Sequence, residues 1–246
     1  MGELIELGGG VSAYVATPAG AVRGGLVVVH EIWGLVDHIT DVADRLASQG
    51  YLAVAPDLLS GIGISPEVGQ EMQRIRTLGS AEEQTRFQPM LREKMAPMQA
   101  PEFARGAIAS LRRSVDYLAG RPEVGDRIGV IGFCFGGSYS FSLAAADERI
   151  RAAVPFYGSP PRPDQLATIN CPVLAFYGDQ DARLTAGLPE LKQAMSAAGV
   201  EFTAQVYPGV GHAFFNDTSP FSYDAATATD AWNRTLTFLD QTLPAN

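Results

Sequence analysis

A chain of 246 residues, 46% hydrophobic and 18% charged, can bury a large core and is too apolar for a disordered protein. A net charge of −9, a sequence pI near 4.8 and the lack of a Lys/Arg cluster exclude a surface for duplex nucleic acid. The longest apolar run, around residues 25–29, is too short to span a bilayer, and two cysteines cannot form a disulfide framework.

Residues 1–6 lack the basic start and apolar stretch of a secretory leader, so a cytoplasmic, reducing setting is expected. Residues 4–7 and 11–17 read as a hairpin, the second arm alternating apolar and polar as an edge strand does. Residues 25–30 (Gly-Leu-Val-Val-Val-His) are continuously apolar up to the His, the mark of a strand buried on both faces of a parallel sheet. Ile39, Val42, Ala43 and Leu46 give residues 37–49 helical spacing, and residues 52–55 form the next strand. Residues 65–100 are less regular, with Pro66, Pro89 and Pro97, four arginines and several Met and Phe. They read as short helices making an inserted flap rather than a separate domain. Beyond them come a helix at 104–118, a strand at 128–131 and a helix at 139–146. Strands at 152–157, 173–177 and 202–207 then alternate with helices at 188–198 and 225–239. This alternation predicts an α/β chain, a single domain over 1–246 with a mostly parallel, doubly wound sheet flanked by helices. In such sheets the reactive groups gather at the carboxyl ends of strands.

One strand end stands out. Gly132-Phe133-Cys134-Phe135-Gly136 is the nucleophile-elbow pattern Gly-x-Ser-x-Gly with sulfur in place of oxygen. A strand turning at once into a helix strains the nucleophile's backbone and leaves no room for side chains two residues away on either side. The helix N-terminus favours a thiolate there. A thiol nucleophile needs a base, and the base needs an orienting acceptor. The chain order Cys134, Asp181, His212 is that of nucleophile, acid and base in this type of sheet. Of three histidines, His212 lies in a loop with Gly209 and Gly211 that can carry its ring over the elbow. Asp179 and Asp181 both qualify as the acid. Asp179 is placed to close its own turn, and Asp181 is placed to reach across. Glu31 follows a buried strand directly. It is either paired with an arginine or set beside Cys134, where a negative carboxylate opposes thiolate formation and a protonated one holds the thiol. The backbone N–H groups of Ile32 and Phe135 are the expected oxyanion donors. Trp33, Phe135, Tyr157 and Phe214 are candidate pocket aromatics, and Cys171 reads as a small buried hydrophobe.

The blocks His30-Glu31-Ile32-Trp33-Gly34, Ala55-Pro56-Asp57-Leu58, Gly132-Phe133-Cys134-Phe135-Gly136-Gly137, Phe156-Tyr157-Gly158, Gly178-Asp179-Gln180-Asp181 and Gly211-His212-Ala213-Phe214 together resemble the dienelactone hydrolase family. The resemblance implies an α/β-hydrolase fold with no metal or organic cofactor. It also implies a Cys134–His212–Asp181 triad whose thiol is controlled by Glu31. The implied substrate is a small unsaturated lactone with a carboxylate arm, opened to maleylacetate through a thioester. Family members commonly grip that carboxylate with two arginines, one shortly after the catalytic histidine. Here that stretch carries Asn216 and Asp217 instead. The other arginine would come from the flap, where Arg86 competes with Arg74, Arg76 and Arg92. A different lactone or ester is therefore the alternative substrate, and a catalytically silent ligand-binding protein the alternative function. A redox role would call for a resolving cysteine or a Cys-x-x-Cys motif, which the sequence lacks. No self-complementary apolar segment is evident, so a monomer is expected.

Overall fold

In the computed structural model, which describes residues 2–244, every residue of β3 (Gly24–Val29) and β4 (Tyr51–Pro56) is buried, as their unbroken apolar sequences require. Met1, at the head of the stretch read for a leader, lies outside the described residues. The other strands are β1 (Glu3–Glu6), β2 (Ser12–Ala16), β5 (Ile128–Phe133), β6 (Ile150–Phe156), β7 (Val173–Gly178) and β8 (Phe202–Tyr207). They form one sheet in the order β1-β2-β4-β3-β5-β6-β7-β8. The hairpin β1–β2 runs antiparallel and joins β4 antiparallel, while β4 through β8 are parallel. One expectation is corrected here. Strand β2 is not the edge, because its far side pairs with β4 from Ala13–Pro56 to Ala16–Ala53. The polar, largely exposed β1 takes the edge position, which suits a strand with one unpaired side.

The long helices are α1 (Asp37–Ser48), α2 (Pro66–Leu78), α3 (Ala81–Met95), α4 (Pro101–Ala119) and α5 (Phe135–Ala146). One-turn helices α6 (Pro163–Leu166) and α7 (Ala182–Thr185) precede α8 (Leu188–Ala197) and α9 (Ala225–Thr242). Helix α1 buries Ile39, Val42, Ala43 and Leu46, the spacing read from sequence. Among the described residues no helix is long and apolar enough to cross a membrane.

Residues 65–100 hold two full helices rather than several short ones. Ser65 caps α2 by accepting from the Val68 N–H, and Pro66 sits in the first turn, where its missing N–H costs nothing. Ser80 and Glu83 form a reciprocal capping box that starts α3. Met72 and Phe87 bury themselves with Leu59 and Ile64 in a small apolar cluster, and Phe103 and Phe135 pack against both it and the main core. Helix α2 lies directly on the loop after β3. A Cβ at Gly69 would sit 1.7 Å from the Trp33 carbonyl oxygen, and Gln70 donates to Asp37 at 2.8 Å.

Candidate active site

The parallel strands β3, β5, β6 and β7, with β8 beside them, deliver their carboxyl ends to one rim, and each rim loop carries one part of the site. Cys134 follows β5 with φ 55° and ψ −111°, outside the regions an L-residue favours. Such a conformation costs about 1–3 kcal/mol and persists only where the surroundings enforce it. The enforcement is visible. The Cys134 N–H donates to the Phe156 carbonyl at 3.0 Å, and α5 starts at once, four residues earlier than its apolar pattern suggests. A Cβ at Gly132 would meet the Gly136 carbonyl oxygen at 2.2 Å, so the strand and helix ends are in direct backbone contact. Two more non-glycine residues with positive φ, Tyr157 (38°) and Ala213 (62°), lie beside Cys134 in this rim. Strain concentrated here is a mark of a functional site.

His212 Nδ1 lies 2.5 Å from Asp181 Oδ2. A carboxylate can only accept, so Nδ1 carries the proton and Nε2 keeps its lone pair. Asp179 does different work: its Oδ1 accepts from the Gly209 N–H at 2.8 Å and ties the loop after β7 to the loop after β8. The geometry thus separates the two acids that sequence spacing left open. The Tyr157 ring lies 4.9 Å from the His212 ring, and its hydroxyl donates to Glu31 Oε1 at 3.4 Å.

Glu31 is buried and makes no ion pair among the described residues, so the arginine partner considered for it is absent from its contacts. Instead Asn216 Nδ2 donates to Oε2 at 2.5 Å while Tyr157 donates to Oε1. Each oxygen thus accepts one side-chain hydrogen bond, and the carboxyl group is held at both ends. Its main chain is fixed by His30, whose Nε2 accepts from the Leu58 N–H at 3.1 Å, leaving Nδ1 to donate to the Glu31 carbonyl at 2.6 Å. Burial holds that imidazole below its ordinary range and so neutral.

The Cys134 thiol is pushed up to about 12, first by burial and then by the negative charge of Glu31. The Phe135 N–H bonded to it pulls the other way and is outweighed. Burial and the Glu31 charge both oppose the thiolate expected from the helix N-terminus. We expect iodoacetamide to label Cys134 far more slowly at pH 8 than an ordinary thiol, with a rate that rises only in strong alkali. Glu31→Gln should speed that labelling on the order of tenfold at pH 8, since a like charge beside an acid shifts it by a unit or more. Mass spectrometry of the Cys134 peptide reads this directly, and an unchanged rate in the variant would contradict it.

Cys134, His212 and Glu31 open into one cavity of about 430 Å³, walled also by Ile32, Trp33, Gln73, Arg76, Thr77 and Asn216. Three assignments from sequence change. Phe214 is fully buried and packs its ring on Tyr157 and Tyr207, so it supports the rim from below and does not line the cavity. Tyr157 is likewise buried and acts on Glu31 and His212 rather than on the cavity surface. Arg86 lies on α3 beside Glu71, Arg74 and Glu83 in a separate groove, on a different face of the helix from Gln84, which reaches the cavity. The cavity arginine is Arg76, one turn along α2 from Gln73. Asp217 points away from the cavity to His38 at 3.2 Å, and that contact holds its carboxyl below the usual range. Asn216 was marked in the sequence only as the place of an absent arginine, although a lone amide among Phe214, Phe215 and Asp217 is a signal of a buried polar partner. Gln73, a second buried amide, gave no signal that single-helix periodicity could separate from solvent exposure.

The sequence profile of the Dienelactone hydrolase family matches residues 11–243. A protein of Saccharolobus solfataricus, provisionally named a carboxymethylenebutenolidase, is 31% identical over 94% of each chain. One of the same provisional name in Escherichia coli K12 is 34% identical, over 88% of this chain and 76% of its own. The crystal structure of a Klebsiella pneumoniae protein, provisionally named a dienelactone hydrolase, superposes with a TM-score of 0.81 at 29% identity, covering 98% of both chains. The family match runs over residues 11–243, nearly the whole chain, and the relatives cover it almost end to end: the chain belongs to the dienelactone hydrolase family and is a hydrolase of the α/β-hydrolase fold.

Proposed function

We propose that the protein cleaves a lactone or ester through a Cys134 thioester, with His212 as base and Asp181 as its orienting acceptor. The observation that carries this reading is the opening of Cys134 and His212 into one cavity, with His212 Nδ1 bonded to Asp181 and Nε2 left free. The thiol proton passes to Nε2 as Sγ attacks the carbonyl carbon, and the oxyanion is received by the N–H groups of Ile32 and Phe135. One such donor contributes roughly 3 kcal/mol to transition-state stabilisation. The imidazolium then protonates the departing alkoxide, which in a lactone stays tethered to the acyl group. Water, deprotonated by His212, releases the acid and restores the thiol.

The substrate we infer is a dienelactone, opened to maleylacetate, with its carboxylate held by Arg76. Support comes from the place of Arg76 in the cavity wall, and no acid pairs with it among the described residues. Turnover of cis- and trans-dienelactone by wild type and Arg76→Ala tests this. The expected result is turnover of at least one isomer, with KM raised roughly tenfold or more in the variant, the loss of one charge-assisted contact. Cleavage of neutral aryl esters alone, unaffected by Arg76→Ala, would move the substrate to an uncharged ester or lactone.

A further inference from the structure

The contacts of Glu31 extend past Asn216. Thr218 donates twice to Asn216 Oδ1, from its N–H at 3.1 Å and from its hydroxyl at 2.6 Å. The same hydroxyl accepts from Gln73 Nε2 at 2.7 Å. Gln73 and Asn216 are both buried, at 6% and 1% exposure, and Thr218 between them is exposed, so the run is anchored in the protein at both ends and meets solvent in its middle. The run is Gln73, Thr218, Asn216, Glu31, from helix α2 through the loop after β8 to the end of β3.

Its polarity is fixed by the Thr218 backbone N–H, which can only donate and meets Asn216 Oδ1. A hydroxyl has one proton. Because Gln73 donates to Thr218, that proton is directed at Asn216. With two donors on Oδ1, the carboxamide cannot turn over, and its NH₂ must face Glu31. The reversed amide would set an oxygen against the carboxylate at hydrogen-bond distance, which is repulsive in a buried site. Gln73 also forms part of the cavity wall, so the run connects a surface that substrate meets to the carboxylate beside the thiol.

We propose that Gln73, Thr218 and Asn216 are positioning residues. They hold Asn216 in its donating orientation and Glu31 aimed at the Cys134 thiol, and so couple the reactivity of that thiol to the seat of helix α2. The proposal rests on the reading of Cys134 as the reactive thiol under the control of Glu31. Helix α2 is seated for this task by the Gly69 contact with the Trp33 carbonyl and by the bond from Gln70 to Asp37. Loss of the Thr218 hydroxyl, or of the Gln73 donor that directs it, leaves Asn216 Oδ1 with the Thr218 N–H alone and loosens the amide that aims the Glu31 carboxylate at the thiol. The repulsion that keeps the thiol protonated then falls.

The test is the pH profile of Cys134 alkylation by iodoacetamide, read by mass spectrometry of its peptide in the full-length protein without substrate. Thr218→Val and Gln73→Leu should each move the profile to lower pH and raise the rate at pH 8 by roughly three- to tenfold. Thr218→Ser keeps the hydroxyl and should retain the wild-type profile. A role in folding alone would lower the melting temperature and leave the profile where it is. In the Glu31→Gln background, Thr218→Val should add nothing, since both act through one carboxylate. Wild-type profiles in Thr218→Val and Gln73→Leu, or a full additive shift in the double variant, would overturn the proposal. A Glu31→Gln protein with a wild-type profile would instead sink the underlying reading of Glu31.

Discussion

Cys134→Ala is expected to remove ester and lactone hydrolysis almost entirely, with kcat falling by roughly four to six orders of magnitude. Cys134 carries the thiol of the proposed attack. Raised to about 12, it is protonated at pH 7, and its ionisation there costs about 7 kcal/mol. No background water reaction in the cavity replaces a nucleophile whose proton has a dedicated acceptor. In the proposed reaction His212 is that acceptor, since Asp181 commits Nδ1 to donation and leaves Nε2 to receive. His212→Ala should therefore cost nearly as much as the loss of the sulfur. The double variant should be no worse than either single one, because each removes the same step. Cys134→Ser is the informative intermediate. An alcohol is harder to ionise than a thiol, so residual turnover in this variant that vanishes with His212→Ala would isolate the contribution of the base. Steady-state assays on one activated ester, with burst-phase detection of the acyl-enzyme, measure each of these proteins beside wild type. Additive losses in the double variant would show that the two side chains do not act in one step.

What could be read from the chain and what could not divide along a physical line. The strands were legible because burial on both faces leaves an unbroken apolar run, as in β3, β4 and β7. The elbow was legible because its geometry needs particular small residues at fixed spacing, and Gly132 and Gly136 lie within six residues of one another. The place of β2 was not legible. Alternating exposure looks the same in an edge strand and in one step inside the edge, and only the pairing with β4, some forty residues away, decides it. The partner of Glu31 was hidden for a similar reason. Asn216 is separated from it by 185 positions, and no periodicity links a helix-terminal loop to a strand end. Arg86 could not be told from Arg74, Arg76 and Arg92 in the sequence because all four sit on the two flap helices. The rotation of α2 against the rim is set by Gly69 and Gln70, which carry no charge pattern. Phe214 was read as a pocket aromatic because an aromatic next to a functional loop has the same sequence signature in either role. Its ring contacts with Tyr157 and Tyr207 decide for the core.

Gly136→Ala is expected to destabilise the protein by about 3 kcal/mol or more and to lower activity further than the loss of folded protein explains. An added Cβ would lie 2.1 Å from the Val29 carbonyl oxygen and 2.6 Å from that of His30. Both are backbone atoms of the central strand, held by parallel pairing to β4 and β5, so no side chain can swing aside. The strand end or the helix must move by about an ångström. For a chain of this size, a loss of 3 kcal/mol lowers the melting temperature by roughly 6–12 °C. The displaced strand end carries Glu31 and Ile32, so the same shift moves the carboxylate beside the thiol and one oxyanion donor. Misplacement on this scale can cost about a hundredfold in rate. The matched control is Gly106→Ala, inside helix α4, where an added Cβ meets nothing within 4 Å. There the helix gains from the lower backbone entropy of the unfolded chain, and stability should rise by roughly 0.5–1 kcal/mol with activity unchanged. Thermal melts and turnover per folded molecule, measured at a temperature where both variants remain native, read the two effects apart. Equal melting temperatures for the pair would mean that the contact between the elbow helix and β3 is soft. The compact packing of that contact is what holds the thiol, the carboxylate and the oxyanion donors in one register.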